Sequence, residues 1–253
     1  MRIKYVGAAL LIALVLSGCG AQNALRKKPT QPLSPEAALH ISLDRFEHWT
    51  SLFASLKLRF AIHDTTFTAR GHLMYLAGER YEVGFEKPYN RFIGTFYVTP
   101  SQLIYFDTHS IPTTYTLQDT VMLSRMIPMG VPNWDPRDIL PFPVSGRSSG
   151  FQTDSVQTEA DGRALVYGNG DDVSYVLTLD TQKGTVSNEQ VQRGGRDLLL
   201  KKYERIKTVQ GWPVATRVTC SNPTGDVTFT WSFSDIQLKA PDARPQQSIS
   251  TSK

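Results

Sequence analysis

Apolar and polar residues alternate along most of this chain. LKLRFAIH places Leu56, Leu58, Phe60 and Ile62 on one face of a strand, TFTARGHLMYL does the same with Phe67, Ala69, Leu73 and Tyr75, and RYEVGFEK with Tyr81, Val83 and Phe85. RFIGTFYV and SQLIYFD continue the series, with turns at Ala77-Gly78, Lys87-Pro88 and Thr99-Pro100. A period of two buries one face of a strand and wets the other. The same alternation returns after residue 150, in DVSYVLTLD, RDLLLKKYERI, VATRVTC and DVTFTWSFSDIQL. Hairpin signals separate these runs at Asp161-Gly162, Asn169-Gly170, Lys183-Gly184, Gly194-Gly195 and Thr224-Gly225. About eleven strands in a mostly up-and-down order are expected.

Two segments break the period. Ser34-Pro35-Glu36 combines an N-cap, a first-turn proline and an acid. Leu39, Leu43, Phe46, Trp49 and Phe53 follow at helical spacing, which predicts a helix over about 35–54. Between about 110 and 150, TVMLSRMIPMGVPNWDPRDILPF is not strand-like and holds three of the chain's five methionines. Val121 to Met126 reads as a short amphipathic helix ended by Pro128, and Asp135-Pro136 as the start of another.

About eleven antiparallel strands in one sheet do not stay flat; they curl into a barrel or half-barrel. The expected architecture is therefore mainly β: a curled sheet whose concave apolar face is covered by the N-terminal helix and the mid-chain insert. The predicted wall of that concavity comprises Leu58, Phe60, Tyr75, Val83, Phe85, Phe96, Leu177, Leu179, Phe229 and Trp231. A register slip of one residue would turn this set outward. The predicted lid comprises Met122, Met126, Ile127 and Met129. A deformable methionine-rich cover over a curved apolar wall suits an acyl chain.

The N-terminus changes the setting. Arg2 and Lys4 precede an apolar run from Val6 to Leu16, then Ser17, Gly18 and Cys19, the pattern of a secretory signal peptide. The run is shorter than the roughly 20 residues of a spanning helix. Leu16-Ser17-Gly18-Cys19 resembles the lipobox of bacterial lipoproteins, which implies that Cys19 becomes the acylated first residue of the mature chain; the bland reading is a secreted chain cut near Gly18 with a free thiol at Cys19. Gly20, in place of an aspartate, points to the outer membrane, periplasmic face. The expected layout is a signal peptide over 1–18, a lipidated tether over 19–34, a β domain over 35–240 and a disordered tail over 241–253. Cys220 then has no partner for a disulfide and is read as a small structural residue.

The formal charge of +4 suggests an anionic partner until it is placed along the chain. The first 34 residues carry five of the 27 basic residues and none of the 23 acidic ones, leaving about −1 for the rest. Nucleic acid is excluded as a partner; Arg26-Lys27-Lys28 sits where a tether would meet anionic headgroups.

With these elements in place, the chain resembles the LolA/LolB-like superfamily of periplasmic lipoprotein carriers and outer-membrane lipoprotein receptors. The resemblance spans roughly residues 35–240. It rests on the N-terminal helix, the apolar insert at mid-sheet and the second run of strands. Local echoes are ARGHLMYLAGERYEVGFEKPYNR, VPNWDPRDILPF and YERIKTVQGWPVATRVT. It implies an eleven-stranded half-barrel, plugged by helices, whose cavity binds acyl chains, and receptors that are themselves lipid-anchored, as Cys19 suggests here. One departure is that no exposed hydrophobic loop for cargo delivery is found.

Catalytic chemistry finds little support. His40, Asp44 and His48 share a helix face, but a solvated polar face explains them and no further ligand cluster accompanies them. His63, His72 and His109 are scattered. Gly-x-Ser-x-Gly and His-Glu-x-x-His are absent from the sequence. SGRSSG lacks a P-loop lysine, and GNGDD reads as a hairpin turn rather than a calcium loop. No enzyme, cofactor or metal is expected. Two functions remain open: a carrier or receptor for acyl chains or lipoproteins, and an assembly lipoprotein that uses the same fold to bind an envelope protein.

Overall fold

The computed structural model describes residues 33–48, 51–76, 80–87, 91–99, 101–107, 113–116, 136–142, 152–159, 161–170 and 173–239. Two antiparallel meanders make up the sheet. The first contains β1 (Ser51–Ile62), β2 (Thr65–Leu76), β3 (Arg80–Lys87), β4 (Arg91–Val98), β5 (Gln102–Asp107) and β6 (Thr113–Thr116). The second contains β7 (Gln152–Thr158), β8 (Arg163–Gly170), β9 (Val173–Asp180), β10 (Thr185–Arg193), β11 (Arg196–Val209), β12 (Trp212–Ser221) and β13 (Val227–Lys239). They are joined where β1 pairs with β13, from Ser51 opposite Lys239 to Ile62 opposite Val227. The order across the sheet is β6-β5-β4-β3-β2-β1-β13-β12-β11-β10-β9-β8-β7. The sheet is curled and not closed.

The described residues thus hold 13 strands where about eleven were expected. The surplus lies at the edges. β6 is only the four residues TTYT, and the residues of β7, QTDSVQT, are almost all exposed. Edge strands with little core to face carry no apolar alternation, so the pattern that marks inner strands does not mark them.

Curvature has local causes. Gly71 on β2, Gly84 on β3 and Gly94 on β4 sit within one register step of one another. A Cβ on Gly71 would lie 1.8 Å from the carbonyl oxygen of Gly84, so the strands approach there as only glycine allows. Register shifts at Phe53/Ser55, Phe85/Glu86, Val186/Asn188 and Val191/Gln192 add further bends. Gly194 and Gly195, both with positive φ (57° and 74°), make the tight β10–β11 turn that the Gly-Gly pair predicts.

Helix α1 (Pro35–His48) begins as expected, with the Ala37 N–H donating to Ser34 Oγ at 3.1 Å. It packs on β9, β10 and β7. Ala38, Leu39 and Ser42 are buried, and Ser42 Oγ donates to the Gly184 carbonyl at 2.9 Å. The helix does not run to residue 54. By Ser51 the chain is a strand that pairs on both sides, with β2 and β13. Aromatic and β-branched residues (FEHWTSLF) are poor helix formers, and two ladders outbid their helical spacing. Phe53 therefore leaves the predicted stripe: it is 41% exposed on the outer face, stacked on His72 at 6.0 Å.

Candidate functional site

The register assigns the two faces of the sheet. Phe60 lies opposite both Phe67 and Phe229, and Leu58 opposite Ala69 and Trp231. Val83 lies opposite Leu73 and Phe96, and Leu177 opposite Val166 and Glu189. All ten residues expected to line the concavity share this inner face. They divide into two groups. Tyr75, Val83, Leu177, Leu179, Phe229 and Trp231 are buried; Leu58, Phe60, Phe85 and Phe96 are only partly so.

What covers the centre of the face is a strap, residues 136–142, opening with a single 3-10 turn, Pro136–Ile139. The strap is pinned by side chains from three adjacent strands. Trp231 Nε1–H donates to the Ile139 carbonyl at 2.9 Å, and Cys220 Sγ contacts the same oxygen at 3.5 Å. Lys201 Nζ donates to the carbonyls of Leu140 (3.1 Å) and Phe142 (2.8 Å). Behind the lysine, Glu189 Oε2 lies 3.8 Å from Nζ and accepts from Tyr203 Oη–H at 2.8 Å. The Lys201 and Glu189 side chains are fully buried. The Phe142 ring packs against Tyr75 and Tyr81, with centroids 5.8 and 5.4 Å away.

Across β1–β4, away from the strap, the inner face is aromatic and only partly covered. Phe60 stacks on Phe229 at 4.3 Å and lies 6.4 Å from Phe67, which is 57% exposed. Phe85 meets Phe96 edge-on at 6.0 Å, and Phe96 packs on Tyr105 at 4.6 Å. The strip starts with Phe60 and Phe67 near the strand ends at His63, whose N–H donates to the Asp226 carbonyl at 2.7 Å, and runs through Phe85, level with Gly71, to Phe96, level with Leu73. The other ends of the strands carry α1, where the Leu33 N–H donates to the Thr181 carbonyl at 3.0 Å.

The rim beside the open strip carries one perturbed carboxyl. Hydrogen bonds from Thr224 Oγ1–H and Asn222 Nδ2–H hold Asp226 below the usual carboxylate range, against a weaker opposing effect of burial. A lowered value means stabilisation present above the unfolded-state value of about 3.9 and lost as pH falls through the folded-state value. An Asp226→Asn variant is therefore expected to differ most from the parent above about pH 4 and to converge with it in more acid solution, as read from urea midpoints across pH.

Sequence reasoning put Phe67 on the apolar face of its strand without counting it in the wall, and missed Phe142, Glu189, Lys201 and Tyr203. The lid residues Met122, Met126, Ile127 and Met129 lie outside the described residues, as do Cys19, the signal segment, nearly all of the tether and the tail beyond Lys239. Among the described residues no cluster of three His, Cys, Asp or Glu side chains could hold a metal ion, and no helix is long and apolar enough to cross a membrane.

An open, curled antiparallel sheet with a helix and a strap on its inner face is a LolA/LolB-like fold. No protein-family profile and no curated protein matches the sequence. Solved structures do match the fold. A DUF1329 family protein from Desulfovibrio piger superposes with a TM-score of 0.60 at 10% identity, covering 83% of this chain and 94% of that one. A LolA superfamily protein from Nitrosomonas europaea gives 0.56 at 16% identity, with coverages of 81% and 91%. A putative outer membrane lipoprotein-sorting protein domain from Vibrio parahaemolyticus gives 0.56 at 12%, with 81% and 93%. At these identities the likeness is one of fold.

Proposed function

We propose that this chain is a lipid-anchored protein of the bacterial envelope that binds acyl chains, free or carried on a lipoprotein, against the open part of its inner face. Binding requires no catalytic residue. The observation that carries this reading is the aromatic strip of Phe60, Phe67, Phe85 and Phe96, with Phe67 exposed and the other three only partly buried, on a face where Leu73, Tyr75, Val83, Phe229 and Trp231 are buried. Soluble proteins rarely leave large concave apolar surface exposed unless something binds it. The Cys19 anchor and an outer-membrane, periplasmic location belong to the same proposal; they rest on the lipobox resemblance and on Gly20.

The test is lipid extraction and mass spectrometry on protein purified in mild detergent. Stoichiometric co-purifying lipid is expected. Burying a phenylalanine contributes about 1.5–3 kcal/mol, so Phe85→Asp is expected to lower retained lipid at least about tenfold. Wild-type protein that is folded and free of lipid would sink the carrier role.

An assembly role is favoured by a different feature. On the outer face, a shallow groove of about 610 Å³ runs across β8–β12, with Leu165, Tyr167, Val176 and the 42%-exposed Leu200 in its lining. Loss of an envelope partner in pull-downs from a Leu200→Asp strain, with lipid retention unchanged, is the outcome that supports this second reading.

A further inference from the structure

We infer that Phe142 is the stop that sets the length of acyl chain this protein accepts. The inference rests on the acyl-binding reading above and adds a specificity determinant to it. Three observations carry it. First, exposure of the inner face changes along β2: Phe67 is 57% exposed and Gly71 partly buried, whereas Leu73 and Tyr75 are buried. Second, one inner-face position beyond the first buried residue, Leu73, stands Phe142, whose ring packs on Tyr75 and on Tyr81, the residue opposite Tyr75 on β3. Third, Phe142 is not free to yield, because its own carbonyl accepts from Lys201 Nζ at 2.8 Å and the residue is only 8% exposed. A chain entering from the His63 end along β2 therefore meets a fixed aromatic wall.

The dimensions fit a single acyl chain. From Phe67 to Leu73 the strand advances six residues, about 20 Å at roughly 3.3 Å each. One leaflet of a bilayer, half of a hydrocarbon core about 30 Å thick, needs about 15 Å. The strip thus accommodates one extended chain and ends shortly beyond it.

The stop makes a quantitative prediction. Each methylene added to a bound chain raises affinity about fourfold while there is wall to cover, and nothing once the chain reaches the stop. The experiment uses the full-length chain in phospholipid nanodiscs, with empty discs subtracted. A fluorescent fatty acid is displaced by saturated fatty acids from octanoate to stearate. Wild type is expected to show a rising limb and then a plateau. Phe142→Ala is expected to move the break to longer chains, and Phe142→Trp, which keeps an aromatic wall in place should the alanine variant fold poorly, to move it to shorter ones. Breaks that coincide in wild type and both folded variants overturn the stop while leaving acyl binding intact. Failure of every fatty acid to displace the probe from wild type overturns the acyl-binding reading itself, and the stop with it.

Discussion

A Glu189→Leu variant is expected to lose about 3–5 kcal/mol of stability, the usual cost of removing one partner of a buried ion pair. Glu189 and Lys201 face each other across β10 and β11, both fully buried. Removing the carboxylate strands the ammonium in a low-dielectric interior and takes the acceptor from Tyr203 Oη–H. The lysine keeps its bonds to Leu140 and Phe142, so the strap stays attached to a destabilised floor. The double variant Glu189→Leu, Lys201→Met is expected to recover part of the loss. It removes the buried charge but leaves two strap carbonyls without their donor, at about 1–3 kcal/mol each. Urea unfolding of the single and double variants measures both effects, and alkylation of the buried Cys220 reports whether the strap still covers it. A Glu189→Leu variant as stable as wild type would show that the carboxylate does not hold the lysine in place.

The second large effect is expected at Gly71. An alanine Cβ there would sit 1.8 Å from the Gly84 carbonyl oxygen and 3.0 Å from the Phe85 Cα, both backbone atoms of a paired strand. Neither has a rotamer to escape into, so β2 and β3 must separate. The expected cost is about 3 kcal/mol, the upper end of the range for overpacking. Gly84→Ala provides the contrast. Its added Cβ meets the His72 imidazole at 2.2 Å, a side chain rather than a backbone. Among the described residues His72 is held by stacking on Phe53 and by Glu82 at 3.1 Å, so swinging it aside is expected to cost about 1 kcal/mol. Thermal denaturation of the two variants side by side tests the difference; equal losses would mean that the close approach at Gly71 does not shape the sheet.

The sheet was legible because its central strands bury one face only. Leu56, Leu73, Val83, Leu177 and Trp231 all mark their strands by alternation, and that alternation put the ten wall residues on a common face. What alternation does not reveal is which part of that face the chain covers for itself. That depends on where the strap lands, and a segment such as DILPF has no period to read. Glu189 and Lys201 were passed over because charged residues in strands are ordinarily wet. The signal for Lys201 was nonetheless present: Leu199, Lys201 and Tyr203 are two apart, so the period that buries Leu199 buries the lysine too. Phe53 misled in the opposite direction, since five aromatic or aliphatic residues at helical spacing look the same in sequence whether or not two neighbouring strands claim the last of them.

The seam between β1 and β13 joins the two meanders using residues from nearly opposite ends of the domain, Ser51–Ile62 and Val227–Lys239. Every other strand pair joins neighbours in sequence. Each meander therefore assembles from short loops, while the seam must wait for a long one, and loop-closure entropy sets the order of events. An emerging chain holds two unfinished curved halves with raw strand edges until its last strand is released. Truncation just before Val227 would thus leave both halves unmated rather than remove one strand from a finished molecule.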